Sequence, residues 1–418
     1  MQHLQKTGGR GCATHFPLLT IRSPLYYQLV LSLFTTVKPF RGHIGIIQRN
    51  AIQSWTRLHP DVEVILFGND EGAAELVSEL ANEAAGNVGR EFSIRHEPHV
   101  ECNEFGTKRL DYLFARAQSI ARHDLLCYIN CDIILTQDFC RALQRVHAAH
   151  KEFLMVGRRT DLDITTPLLF ETSDSEPQQR LPALSQSAQL QSRERQSPDW
   201  QSAPPQPASA ISAPPQPAPQ NFAQPPLASA ISAPPQPASA NSSPPLAPWE
   251  KNLRTLAARS GKKRTAEWID YFAFTRGLYA PDMPPFVLRV HWDNWLVWKV
   301  LHSGKPVVDA SRAVLAIHQN HDYSHHPQGQ QGVWHGNEAA NNARLAGSWR
   351  NLRTIGDATG VLMGDVLKRN SMRNWSTVKR YARQFGRVIF YDVWHPVWFA
   401  LLKITRPLRN VFHLRARP

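Results

Sequence analysis

Hydrophobic and polar positions in this chain follow two periods in turn. Short apolar runs of strand length begin at Leu25 (LYYQLVLSLFTTVKPF), Val62 (VEVILFG), Phe92, Leu125 (LLCYINCDIIL) and Phe153 (FLMVGRRTDLDI). Between them, IGIIQRNAIQSWTRL, EGAAELVSELANEA, TKRLDYLFARAQSIARHD and residues 137–150 carry apolar residues at helical spacing. Pro39 behind Thr35 and Thr36, and Gly68-Asn69-Asp70 behind Phe67, mark strand exits. The alternation resumes at Trp249 with a helix (WEKNLRTLAARSG), a strand and turn (WIDYFAFTRGLY), a helix entered near Asp293, and a strand in VVDASRAVLAIHQNHDYSHH that runs into a polar cluster. Strands alternating with helices predict βαβ units, hence an α/β fold with a mostly parallel sheet.

Three segments break the pattern. Residues 1–24 read as a disordered leader. From residue 171 to 248 the chain is a Pro/Gln/Ser/Ala-rich stretch in which SAPPQPA recurs at 202, 212 and 232, too poor in apolar residues to order itself. It is expected to be a disordered insertion within a single domain, since long loops add closure entropy slowly. Residues 361–418 hold twelve Lys and Arg against Asp365 and Asp392, so they carry most of the formal charge of +13. Trp375, Phe390, Tyr391, Trp394, Trp398 and Phe399 are interleaved with them. A basic, aromatic, amphipathic helical tail suits peripheral contact with an anionic membrane. The body is close to neutral, which argues against nucleic acid as a partner. No apolar run is long enough to span a bilayer, and the N-terminus lacks the order of a secretory signal, so a cytoplasmic protein, peripheral at the inner face of the membrane, is expected. Five scattered cysteines without a CxxC pair are expected to be free thiols.

The chemistry concentrates at Asn130 and Asp132. As i and i+2 at a strand end they project to the same side, and an amide oxygen with a carboxylate offers hard ligands for Mg²⁺ or Mn²⁺. The loops after Phe34, Phe67 and Tyr128 should share the edge beyond the carboxyl ends of the strands, placing Thr36 and Lys38 near Asp132. In the polar cluster that begins at His318, the HExxH spacing of a zinc hydrolase is absent, and His318, directly behind a strand, is the first choice to complete a metal site. Asp293 lies between Trp292 and Trp295 in HWDNW, where it is either a helix N-cap or a carboxylate beside a sugar-stacking wall.

TTVKPF, YINCDIIL, FLMVGRRTDLDI, WIDYFAFTRGLY, WDNW and HQNHDYSH, in this order, resemble the nucleotide-diphospho-sugar transferases of the GT-A (Rossmann-like) fold. The metal motif of that family is usually Asp-x-Asp, and here Asn130 stands at its first position. The resemblance implies a glycosyltransferase in which residues 25–170 form the nucleotide-binding half and 249–360 the acceptor-binding half. It implies a metal bridging Asp132 to the donor diphosphate, Thr36 and Lys38 at the nucleotide, and Arg109, Arg158 and Arg159 as phosphate ligands. Asp293 is the implied base of an inverting transfer to a glycan, lipid or small-molecule acceptor, with Asp270 as second choice. A nucleotidyltransferase would show a Gly-rich phosphate loop after its first strand, where this chain has TTVKPF. The alternative from another class is a degenerate transferase fold that binds partners without catalysis.

Overall fold

The computed structural model describes residues 31–86, 92–170, 246–279, 281–322, 329–388 and 397. The expected leader at 1–24, nearly all of the expected insertion, and the tail beyond residue 388 apart from residue 397 lie outside the described residues. The first half runs β1 (Leu31–Thr36), α1 (Gly42–Trp55), β2 (Val62–Phe67), α2 (Ala73–Gly86), β3 (Ser93–Glu97), α3 (Leu110–Ile120), β4 (Leu125–Ile129), β5 (Ile133–Ile134), α4 (Asp138–Ala149) and β6 (Leu154–Leu162). The second runs α5 (Pro248–Ser260), β7 (Lys262–Lys263), β8 (Ile269–Thr275), α6 (Trp292–His302), β9 (Val307–Asp309), β10 (Ala316–Gln319), α7 (Gly329–His335), α8 (Asn337–Ala346), β11 (Gly360–Met363), β12 (Val366–Arg369) and α9 (Arg373–Val388).

β1, β2 and β4 are buried along their whole length, so they are mostly apolar, and the buried Ser32 hydroxyl donates to the Glu63 carboxylate on the neighbouring strand. Their side chains alternate between two cores. Leu33, Val64 and Cys127 face Ile52, Trp55, Leu76 and Leu143 on one side of the sheet, while Phe34, Ile65 and Tyr128 face Phe114 and Leu296 on the other. The strand order is β12-β11-β9-β6-β8-β4-β1-β2-β3. β3, β2, β1 and β4 are mutually parallel, β8 is antiparallel between β4 and β6, and β9 and β11 continue parallel to β6. This largely parallel sheet, flanked by helices and fed by chain from both sides of the insertion, is consistent with a GT-A-like single domain.

Two local departures from the sequence-based expectation position the site. β6 shifts register between Val156 and Arg158. Its first half stays in the main sheet beside β8 and β9, while its second half pairs in parallel with β10. The single strand expected in VVDASRAVLAIHQN is accordingly two, β9 in the main sheet and β10 on the side. Asn130 and Asp132, expected on a strand, lie in the connection between β4 and β5. β5 pairs antiparallel with β10, in a register that sets His318 opposite Ile133, next to Asp132.

The start of the basic tail is also different. Residues 360–369 form the hairpin of β11 and β12 around Gly364 and Asp365, not a helix. The Gly-Asp pair, with Gly364 at φ 59°, supplies the left-handed turn, and helix follows in α9. At the insertion the described ends approach one another: the rings of Phe170 and Trp249 are 5.1 Å apart. α5 starts with Pro248 in its first turn, where a missing N–H costs nothing.

Candidate active site

The connections that leave β1, β2 and β4 open into one cavity of ≈ 460 Å³, lined among others by Thr36, Lys38, Asp70, Asn130 and Asp132. Its location beyond the carboxyl ends of parallel strands is where α/β sheets place ligands. Thr36 donates from Oγ1 to the Phe67 carbonyl (3.1 Å), tying the exits of β1 and β2 together. Gln48 on α1 holds both backbone groups of Lys38, at 2.7 and 2.9 Å. Burial pushes the Lys38 ammonium pKa down, and the charge of Asp132 opposes that shift.

Asp132 is the focus of the cavity. Its Oδ2 lies 3.1 Å from His321 Nε2 and 3.5 Å from His318 Nε2. Its Oδ1 is buried without a hydrogen-bond partner. Asp132, His318 and His321 each offer a ligand atom, all within 4.8 Å of one another. Both ring nitrogens of His321 face acceptors, Nδ1 the Asp322 carbonyl at 2.7 Å and Nε2 the Asp132 carboxylate at 3.1 Å, which fixes the orientation of the ring. His318 Nδ1 faces the Asp161 carboxylate at 3.4 Å, the carboxylate–imidazole arrangement that orients a metal-ligating histidine. The unsatisfied Oδ1 and the oriented imidazoles fit a divalent ion. Two nitrogens with one carboxylate suit Mn²⁺ better than Mg²⁺, which prefers an all-oxygen shell. Burial alone would raise the Asp132 carboxyl, but His318 and His321 hold it well below its ordinary range. For His318, burial and Arg159 favour the neutral ring, while Asp132 and Asp161 outweigh them and raise its pKa.

A polar network extends from this cluster. Arg159 donates from Nε to Asp161 (2.9 Å) and from Nη1 to both oxygens of Asp270 (3.1 Å), and its guanidinium lies 4.6 Å from the Trp268 ring centroid. Asn130 donates its amide N–H to Asp270 Oδ1 at 2.8 Å. Trp268 and Trp334, with centroids 5.3 Å apart, line the same cavity. Asp293 lies on this wall too. It is not the N-cap of α6, a position held by His291, whose carbonyl accepts from the Trp295 N–H. Burial, with the charge of Asp270 adding to it, raises the Asp293 carboxyl to about 7 against the opposing backbone N–H groups of Asn294 and Asp293. His291 has φ 82°, the only non-glycine residue with positive φ among the described residues. Such strain costs on the order of 1–3 kcal/mol and gathers at functional sites. Burial lowers the His291 pKa to about 4, so its ring is neutral beside Asp293.

Of the residues singled out in the sequence, Thr36, Lys38, Asn130, Asp132, Asp293 and His318 come together here, and Asp270 and Arg159 join them. Arg109 does not. It sits at the start of α3, ion-paired with Asp111 (2.5 Å) and Glu101 (2.8 Å), away from the cavity lining. Arg158, one residue from Arg159 on β6, faces a second cavity because alternate strand residues point to opposite sides. Trp295 is core, packed on Phe286 and Trp298, and Trp292 is mostly covered by Tyr128 and Phe272. The aromatic faces belong instead to Trp268 and Trp334. His318 is the first choice in the sequence; His321, two residues past the end of β10, is the second imidazole at Asp132, and its closeness to that strand end is the signal available. Tyr323, His325 and His326 of the expected cluster lie outside the described residues.

No family model matches the chain, and no curated protein matches it. Among solved structures it is similar to S. aureus TarS 1-349 in complex with UDP-GlcNAc, at 8% identity and TM-score 0.24 over 32% of this chain and 35% of that one. The complex of the same protein with UDP matches at 10% identity and TM-score 0.24 over 32% of this chain and 36% of that chain. The chain thus spans about a third of these structures, a distant likeness that leaves the function to the site itself.

Proposed function

We propose that this chain is a metal-assisted glycosyltransferase that moves a sugar from a nucleotide-diphosphate-sugar donor to the hydroxyl of a glycan, lipid or small-molecule acceptor, with inversion. The observation that carries the proposal is the convergence of Asp132, His318 and His321 in one cavity with Asp293, a carboxylate whose pKa is raised to about 7. An ion held by Asp132, His318 and His321 would supply Lewis-acid stabilisation of the departing diphosphate. Lys38 offers a cation near Asp132 for the same phosphates. Asp293, poised near neutral pH, takes the proton of the acceptor hydroxyl, which is the task of a general base. Arg159 bridges Asp161 and Asp270, and Arg264 pairs with Asp161 as well, so two guanidiniums offset these two carboxylates near Asp293. Trp268 and Trp334 provide apolar faces for a sugar ring.

On this reading the donor side is built by residues 25–170 and the acceptor side by 249–360, with the exception that the second half also sends His318 and His321 to the metal site. The test is a thermal-shift titration with UDP, GDP, dTDP and CDP, with and without Mn²⁺. One nucleotide should stabilise the chain in a metal-dependent way, by the mass-action term for a ligand that binds only the folded state. Asp132→Ala should abolish the shift. No shift with any nucleotide would sink the proposal and favour a non-catalytic fold in which Asp132 merely pairs with its two histidines.

A further inference from the structure

A second cavity of ≈ 850 Å³ adjoins the first, and its wall is strongly cationic. Arg158 comes from the register shift of β6, Lys263 from β7, Arg312 from the turn after β9, Lys368 and Arg369 from β12, and Lys379 from α9. Six cations face two carboxylates, Asp309 and Glu267. Arg158, Arg312, Lys368 and Arg369 form no ion pair among the described residues, and the buried Arg158 Nε has no hydrogen-bond partner. Lys263 is partly committed, its Nζ donating to the Ser311 carbonyl at 2.6 Å, while Asp309 Oδ1 accepts from the Ser311 N–H at 2.8 Å. Burial, with the like charges of Arg158 and Arg312 adding to it, lowers the Lys263 pKa against the opposing charge of Asp309. Five separate segments converging like charges around an open cavity is an arrangement that a multiply charged anion relieves, and guanidinium forks match phosphate oxygens in particular.

The two cavities are contiguous: Glu267 and Asn294 line both, and Asn294 follows Asp293. We infer that the cationic cavity binds the acceptor through a phosphate group, leaving a hydroxyl of that acceptor toward Asp293. This rests on the transferase reading above. In the step it serves, the acceptor O–H gives its proton to Asp293 and a new bond forms from that oxygen to the sugar's anomeric carbon. The anomeric carbon–phosphate oxygen bond breaks, and the nucleoside diphosphate leaves with the electron pair. The phosphate of the acceptor is a handle and is not consumed.

The test is calorimetric titration of the full chain with glycerol 3-phosphate, with cosedimentation on phosphatidylcholine vesicles with and without phosphatidic acid as a second arm. Arg158→Gln, and separately the exposed Arg312→Gln and Lys368→Gln, which carry little folding risk, should each weaken binding about tenfold or more, the size expected for losing a charge-assisted contact. Binding should fall as salt rises, while the Mn²⁺-dependent nucleotide shift stays as in the wild type. Binding of phosphatidic-acid vesicles but not of glycerol 3-phosphate assigns the phosphate to a lipid; the reverse assigns it to a soluble acceptor; both support the cavity. No binding of either probe, or binding that all three variants leave unchanged, overturns it, even where nucleotide binding persists. Variant-sensitive phosphate binding without any nucleotide shift sinks the transferase reading, and the acceptor role with it.

Discussion

At the scale of single residues, the site works by opposing terms on the same group. Asp293 and Asp132 are both carboxylates in one cavity, yet burial wins at Asp293 and the two imidazoles win at Asp132. The first is therefore an acid–base group near neutrality and the second an anion at any working pH. Turnover should rise as pH passes through about 7, where Asp293 loses its proton. Stability runs the other way. The folded chain holds that proton more tightly than the unfolded chain, whose aspartate titrates near the ordinary 3.8, so the contribution of Asp293 is complete below that value and is lost as pH rises through about 7. Asp293→Asn should remove the rise in the pH–rate profile and lower turnover by about two to four orders of magnitude, the usual weight of a general base. It should also melt later than wild type at pH 8 and not at pH 4. A variant that keeps its turnover would show that Asp293 is not the base.

Elements decide which residues meet. β10 reaches Asp132 only because β6 slips register after Val156 and lends its second half to a side sheet, in which His318 stands opposite Asp161 and Ile133. α9 presents another element-level consequence. Trp375, Val378, Tyr381 and Phe385 are all exposed on it, at 45–68% of their surface, with Lys379 close by. An apolar and basic helix face is suited to the headgroup region of a membrane. Cosedimentation with anionic vesicles should be weakened several-fold by Phe385→Glu and by Trp375→Glu, and reduced by salt, with the nucleotide response intact. Equal pelleting of wild type and variants would assign that face to packing against other parts of the chain.

On the scale of the whole molecule, the sheet joins chain from both sides of residues 171–245. β8 lies between β4 and β6, and α5 packs against the end of β6 through a small core of Ile134, Leu162, Ile164, Trp249, Leu253 and Ile317. Phe170 and Trp249 close the gap at 5.1 Å between ring centroids. Replacing residues 174–244 by a short Gly/Ser linker should therefore leave the melting temperature and the nucleotide response near wild type, since loop-closure cost changes only with the logarithm of length. Loss of the folded state in that variant would mean that the segment supplies core. Among the described residues no helix is long and apolar enough to cross a membrane.

The amino-acid sequence by itself determined what is local. Short apolar runs and helical spacing marked the strands and helices of the first half to within a few residues, because β1, β2 and β4 are buried on both faces and are mostly apolar. The strand-exit signals at Pro39 and Gly68, and the polar break at Asn130 and Asp132, marked the edge where the cavity opens. The hairpin of β11 and β12 carried its own signal in Gly364-Asp365, which the surrounding positive charge obscured. Pairing between distant segments belongs to the tertiary structure. Arg158 and Arg159 are neighbours of equal chemistry, and only the strand's two faces send one to the cationic cavity and the other to Asp270. His321 joins Asp132 across 189 positions, and Trp268 and Trp334 form a wall that no local spacing encodes. Local order follows from short-range periodicity, while a site depends on contacts whose partners are set by sheet register, and register is fixed only when the whole core is packed.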